Sequence, residues 1–214
     1  MPRMYAPRHF DPPDAAAMHA LLRAQPLGML VTTQAGALAA DHVPFLFDAH
    51  RGPLGTLRAH VARANPLWRE HDATKEVLVV FQGAESYVSP SWYPSKRADP
   101  RVVPTWNYAV VHVHGRLRAI EDAAWLRALV EELTTMHESS RELPWRVGDA
   151  PEAYLQSMLR GIVGVEIEVS RMQGKWKLSQ NRSAGDREGV MRGIDALGLP
   201  DAPALARLMQ VPDE

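Results

Sequence analysis

The sequence predicts a small antiparallel β-barrel with peripheral helices, an α+β arrangement in which strands carry the core. Three observations predict it. Five to seven extended runs follow one another through hairpin-style turns instead of alternating with long helices. One of them, 106–120, sets Val111, Val113, Gly115 and Leu117 against His112, His114, Arg116 and Arg118 with a period of two, the mark of a strand with one polar face. The helical patterns are few and lie between strands or at the end of the chain, and no repeat of fixed period interrupts this order.

Taken in order, Asp11 before Pro12 and Pro13 reads as a helix start, with Met18, Leu21 and Leu22 at helical spacing until Pro26. Gly28 to Thr33 is an apolar extended run, Gln34-Ala35-Gly36 a turn, and Leu38 to Phe47 extended again, which together make a hairpin. A turn at His50-Arg51-Gly52-Pro53 leads to a strand near Leu54 to Val61, and Asn65 caps a short helix opened by Pro66. Val77 to Gln82 is a buried strand. Glu121 to His137 is the clearest helix, with Trp125, Leu126, Leu129, Val130 and Leu133 on one stripe and two carboxylates at its positive end. Another helix spans about Pro151 to Leu159, a strand runs from Ile162 to Val169, and it continues past Gly174 as Lys175 to Leu178. Beyond it, 186–210 reads as two short helices split at Gly198-Leu199-Pro200. The expected organisation is one barrel domain over 1–182, with inserted helices, and a helical tail over 183–214.

Composition narrows the functional classes. The 214 residues are 46% apolar, ordinary for a globular chain, and contain no cysteine, which removes disulfide frameworks, thiolate metal sites and cysteine nucleophiles. The amino terminus lacks the apolar core of a signal peptide and no run is long enough to span a bilayer, so the expectation is a cytoplasmic protein with no membrane partner. Lys and Arg number 24 against 25 Asp and Glu, so the molecule as a whole lacks the positive field of a non-specific nucleic-acid binder. A DNA role has to rest on a local patch; Lys175, Lys177, Arg182, Arg187 and Arg192 form one, diluted by Asp186 and Glu188. No Ser-His-Asp set, phosphate-loop glycine signature or dinucleotide fingerprint is present.

Four stretches carry candidate chemistry. Between Tyr87 and Tyr108 lie four prolines, Trp92, Tyr93, Trp106 and Tyr108, with hydroxyls, Lys96 and Asn107 among the rings. Proline stiffens such a loop, and rings flanked by donors suit a flat ligand with polar edges. Arg58, His60 and Arg63 run into the helix start at Asn65-Pro66, a junction suited to phosphate and equally to a capped surface strand. On the preceding strand stands Asp41-His42-Val43-Pro44, where a hairpin partner would bring His42 toward His60. Lys175 to Arg182 presents Lys177, Ser179, Gln180, Asn181 and Arg182 in succession, more donors than a solvent turn requires. The pair His112 and His114 has metal-ligand spacing without a third ligand, so no metal site is assigned; an axial haem ligand is the other reading.

At these residues the chain resembles the PaiB family, the FMN-binding negative transcriptional regulators, over almost its whole length. The resemblance rests on Met4-Tyr5 with Phe10, Leu30-Val31-Thr32, His42-Val43-Pro44-Phe45, Gly55-Thr56-Leu57 through Asn65-Pro66, Val77 to Gly83, the aromatic loop, Val103 to Tyr108, Gly161 to Val165, and Gly174 to Arg182. It implies an FMN-binding split barrel related to pyridoxamine-phosphate oxidases, built as a homodimer with flavin at the subunit interface. It further implies His60, Arg63 and Asn65 on the phosphate side, Thr32, Thr33, His42 and Pro44 on the adjoining wall, and Trp92, Lys96, Trp106 and Asn107 on the aromatic side. Lys177, Gln180, Asn181 and Arg182 are implied from either subunit. Two positions depart from the family: Asp41 stands where threonine is common, and Met29 where a small or hydroxylic residue is. A carboxylate beside a phosphate opposes it by about 1 kcal/mol even in water. Three functions follow for testing: a flavin-controlled repressor, an FMN-dependent oxidoreductase acting on a small molecule, and a haem-binding split barrel using His112 or His114.

Overall fold

The computed structural model describes residues 3–210. The first two positions of the segment read for a signal peptide and the last four of the expected tail lie outside the described residues. The described chain forms two compact units, one of residues 22–81 and 112–172, the other of 3–21, 82–111 and 173–210.

The first of these units holds the sheet. Its strands are β1 (Leu27–Gln34), β2 (Ala37–Pro44), β3 (Leu46–Asp48), β4 (Thr56–Ala62) and the relevant parts of β5 (Val77–Val88), β6 (Thr105–Ile120) and β7 (Ile162–Lys177). The order is β2-β1-β5-β6-β7-β4-β3, a seven-stranded antiparallel sheet. The β1–β2 hairpin turns through Ala35 and Gly36, at φ of 49° and 85°, the double positive φ that gives a two-residue turn its fit to twisted strands. Strands β2 and β4, which are not ladder neighbours, approach each other. The turn after β4 ties to β2 where Asn65 Nδ2 donates to Asp41 Oδ1 at 2.8 Å.

Period-two burial explains why these segments are strands. Leu57, Ala59 and Val61 of β4, and Val163, Val165 and Ile167 of β7, turn inward with Leu30, Val79, Phe81 and Val113. Each fully buried aliphatic or Phe side chain stabilises by about 1.5–3 kcal/mol relative to exposure, so this inner face dominates the fold. On the other face of β4 and β7 lies α3 (Ala123–Glu138), started by Asp122, whose carboxylate accepts the Trp125 amide at 2.7 Å. Trp125 lies over Gly164, where a Cβ would collide with the indole. The helices α2 (Leu67–Glu70) and α4 (Glu152–Arg160) complete the unit.

The second unit contains the far parts of β5, β6 and β7, most of α1 (Ala15–Ala24), the proline-rich loop, α5 (Ala184–Ala196) and α6 (Ala202–Met209). Its core includes Tyr93, Trp176, Val190, Ile194 and Leu205.

Several boundaries differ from expectation for identifiable reasons. The cap of α1 is Asp14, accepting the Ala17 amide at 2.7 Å, and not Asp11; prolines at 12 and 13 push the residues before them into extended geometry, so the helix begins later. The proline-stiffened loop winds into two 3₁₀ turns, Pro90–Trp92 and Pro94–Arg97, because proline at a first helical position gives up only an amide that has no partner there. The two runs around Gly174 are one strand. The segment between α3 and α4 carries a short 3₁₀ turn at Val147–Asp149.

Candidate functional site

The richest concentration of donors is a cleft in the second unit. It is lined by Phe10, Val103, Pro104, Thr105, Asn107, Lys177, Ser179, Asn181 and Arg182 and has a volume of about 120 Å³. Thr105 and Asn107 alternate on one face of β6, so both reach the cleft, while Trp106 between them turns to the other face. Lys177 at the end of β7 donates to the Thr105 hydroxyl.

The loop after β7 is locked in an uncommon conformation. Ser179 has φ of 65°, left-handed backbone that a non-glycine residue adopts only under constraint. The constraint is Gln180, whose Oε1 accepts the Leu178 amide at 2.7 Å and whose Nε2 donates to the Trp176 carbonyl at 2.5 Å. The Ser179 hydroxyl donates to Asn107 Oδ1 at 3.0 Å, deep in the unit, where Asn107 is fully buried. Gln180 therefore positions the loop, and Lys177, Asn181 and Arg182 face the cleft. The Arg182 guanidinium stands 4.8 Å from the Tyr93 ring centroid, a cation–π contact that orients it.

The aromatic loop is anchored by the tail. Asp186 of α5 accepts from the Ser95 amide at 3.1 Å and the Ser95 hydroxyl at 2.7 Å. Burial alone raises the pKa of this carboxyl, but the bonds from Ser95 and Ser183 and the charge of Arg182 outweigh it and hold the group below its ordinary range. Trp92 lies on α5, its indole against Gly193 and its carbonyl against Gly189. Trp106 is half exposed and meets Tyr87 edge-on at 6.3 Å, and Lys96 is exposed.

In the sheet unit the remaining predicted residues fall into separate settings. Thr32 is buried and accepts from Gln34 Nε2 at 3.1 Å, and the Thr33 carbonyl accepts the Asp72 amide at 2.8 Å. His42 and Pro44 are exposed on β2. The hairpin expected to bring His42 to His60 does not pair them: His42 registers with Met29 and His60 with Gly164. Asn65 both caps α2, accepting the Leu67 amide at 2.9 Å, and holds Asp41. Arg63 binds Glu121, the Arg160 carbonyl at 2.8 Å and the Ile162 carbonyl at 3.2 Å, stitching the end of β4 to the start of β7. His60 faces an aliphatic cavity. Its burial lowers the imidazole pKa, as burial and the nearby Arg171 do for His112 and His114. Among the described residues no group of three or more histidine and acidic side chains is arranged to hold a metal ion, and no helix is long and apolar enough to cross a membrane.

Thr105 and Phe10 join the cleft without having been singled out as ligands, alongside Ser179 of the donor run. Thr105 was readable from its period-two relation to Asn107; the left-handed turn at Ser179 leaves no pattern in a single chain.

Comparison with known proteins places this geometry in a class. The fold matches that of the flavocytochrome Anf3 from Azotobacter vinelandii with a TM-score of 0.58 at 12% identity, over 82% of this chain and 74% of that one, a likeness of split-barrel architecture. The family model described as "Putative FMN-binding domain" matches residues 4–171. The "Protease synthase and sporulation protein PAI 2" of Bacillus subtilis is 35% identical over 210 residues, 97% of each chain. An uncharacterised protein of Emericella nidulans is 35% identical over 225 residues, 89% of this chain and 90% of that one. The chain belongs to the PaiB family of FMN-binding proteins, and FMN is the cofactor this family assigns to it.

The residues present fit that cofactor at one end. The cleft joins two cations, two amides and two hydroxyls to apolar lips, a donor set suited to an anion. At about 120 Å³ it lies below the ~300 Å³ at which pockets begin to enclose a drug-sized ligand, so it has room for a phosphate-sized group and not for a whole flavin nucleotide.

Proposed function

We propose that this protein is an FMN-binding negative transcriptional regulator of the PaiB type, acting as a homodimer, with Lys177, Asn181 and Arg182 receiving the phosphate of FMN. The cleft carries this reading. Its lining offers two cations, amides and hydroxyls, with no carboxylate or imidazole. Such a set holds an anion. Bound FMN supplies electron transfer; the chain supplies the charge and the fixed loop that select it. The regulatory half is supported by the relative from Bacillus subtilis, named as a protease synthase and sporulation protein. With 24 basic against 25 acidic side chains, DNA contact has to come from a local basic surface repeated by the dimer.

Three measurements test this. The absorption spectrum of the purified protein is expected to show flavin, and light scattering is expected to give twice the chain mass. Retardation of its own upstream DNA is expected to change on adding FMN and to weaken with salt. DNA binding that is absent, or indifferent to both FMN and salt, removes the regulatory half, and turnover of a reduced nicotinamide with an acceptor replaces it with the oxidoreductase.

A further inference from the structure

The basic stretch at the start of the tail changes character once it is folded. In the sequence its cations are diluted by Asp186 and Glu188. Folding withdraws the first of these from the surface: Asp186 is 4% exposed, and its carboxylate accepts the Ser95 amide at 3.1 Å and the Ser95 hydroxyl at 2.7 Å. The same two bonds bring new cations to α5. Lys96 and Arg97 follow Ser95 in the second 3₁₀ turn, both are exposed, and among the described residues neither side chain has an acidic partner. The acids that remain nearby are occupied or distant. Glu188 faces Arg192 at 3.7 Å and Asp99 is matched by Arg101 at 2.8 Å. Asp195 lies about 14 Å further along α5 than Asp186, beyond the ~10 Å over which exposed charges act at 0.1 M salt.

Arg182 joins this surface to the cleft. It lines the cleft with Lys177, and its guanidinium stands 4.8 Å from the Tyr93 ring centroid. Its charge also acts on Asp186, the carboxylate that holds Ser95 next to Lys96 and Arg97. One cation thus serves two neighbouring sites. A phosphate monoester in the cleft sets about 1.5–2 negative charges beside it at pH 7 and cancels its contribution to the outer surface. The three cations stand on a proline-stiffened turn and on the loop after β7, not on a helix that enters a groove, so they read charge and not base sequence.

We propose that Lys96, Arg97 and Arg182 contact the phosphate backbone of double-stranded DNA, and that FMN in the cleft weakens this contact by engaging Arg182. The proposal rests on the reading of the protein as a regulator and gives that regulation a sign: flavin releases DNA.

The test is filter binding of a random-sequence DNA duplex to the full-length, flavin-free protein across about 50–200 mM salt. Each phosphate contact contributes a slope of about −0.9 to log K against log salt, and so about eightfold in affinity at ~0.1 M. For each bound protomer, Lys96→Ala/Arg97→Ala is expected to flatten the slope by about 1.8 and to weaken binding about sixtyfold. Saturating FMN is expected to flatten the wild-type slope by about 0.9 per protomer and weaken binding about eightfold, and riboflavin, which lacks the phosphate, to do neither. Arg69→Ala/Arg141→Ala removes the same charge from the sheet unit and is expected to change neither slope nor affinity. Wild type that leaves the duplex unbound at about 50 mM salt removes the regulator reading and this proposal with it. Wild-type binding that persists unchanged in Lys96→Ala/Arg97→Ala leaves the regulator standing and overturns the surface, as does an equal loss in Arg69→Ala/Arg141→Ala, the mark of net charge alone. Loss of FMN affinity with DNA binding kept in Lys96→Ala/Arg97→Ala returns Lys96 to the flavin and also overturns it. FMN that tightens duplex binding or leaves it unchanged overturns the coupling through Arg182.

Discussion

Replacing Gly189 by alanine tests how the tail holds the aromatic loop. Gly189 lies in the middle of α5, where alanine is worth up to about 1 kcal/mol more than glycine on helix propensity alone. Against that, a Cβ at this position overlaps the Trp92 carbonyl oxygen and comes within 3.1 Å of Pro94 Cδ. The obstacle is backbone, so the helix and the 3₁₀ turn have to part. Moving them apart also lifts Gly193 from the Trp92 indole and stretches the Asp186–Ser95 bonds. Overpacking of this kind costs about 1–3 kcal/mol, and setting the propensity gain against the upper half of that range leaves a net loss of about 1–2 kcal/mol. For a chain of 214 residues this is a fall in Tm of about 3–6 °C. The internal control is Gly185→Ala, in the same helix with nothing near its Cβ, which is expected to leave Tm unchanged or raise it slightly. Thermal unfolding by circular dichroism reads both. Equal midpoints for the two variants would refute the docking of α5 on Trp92.

Further outcomes follow from the charges. Asp186→Ala removes two bonds to Ser95 and is expected to cost about 2–3 kcal/mol and to speed amide exchange over 93–99. Because the Asp186 carboxyl is held below its ordinary pKa, its contribution is complete above about pH 4 and is lost as the pH falls through the lowered folded value, so variant and wild type should converge in stability in strong acid. Burial lowers the pKa values of His60, His112 and His114, so the unfolded chain takes up protons first. Stability should be full above about pH 6.5 and decline as the pH falls toward the folded values, and His112→Gln with His114→Gln should flatten the decline.

Local signals in the sequence carried far. Asn65 and the period-two burial of 106–120 appear in the structure as read, because a cap or an alternating strand is decided within a few residues; Asp122, read among the charges of the first turn of a helix from Glu121, is instead the cap of one that begins at Ala123. The donor run 177–182 brings Lys177, Ser179, Asn181 and Arg182 to one cleft for the same local reason. What was not legible depends on partners distant in the chain. Arg63 spends its donors on Glu121 and on carbonyls near 160, and Gln180 turns back on its own loop instead of facing the cleft. Asp41, a departure from the family, is tied to Asn65 across the sheet ends. Trp92 lies on glycines a hundred residues away, a docking that no local pattern encodes.

The most direct measurement compares FMN with riboflavin, which lacks the phosphate, by fluorescence titration of the flavin-free protein and of the Lys177→Ala/Arg182→Ala double variant. If the cleft receives the phosphate, wild type prefers FMN by at least about tenfold, one charge-assisted bond or more, and the double variant loses that preference while still binding riboflavin as wild type does. A preference for FMN that survives in the double variant contradicts the assignment.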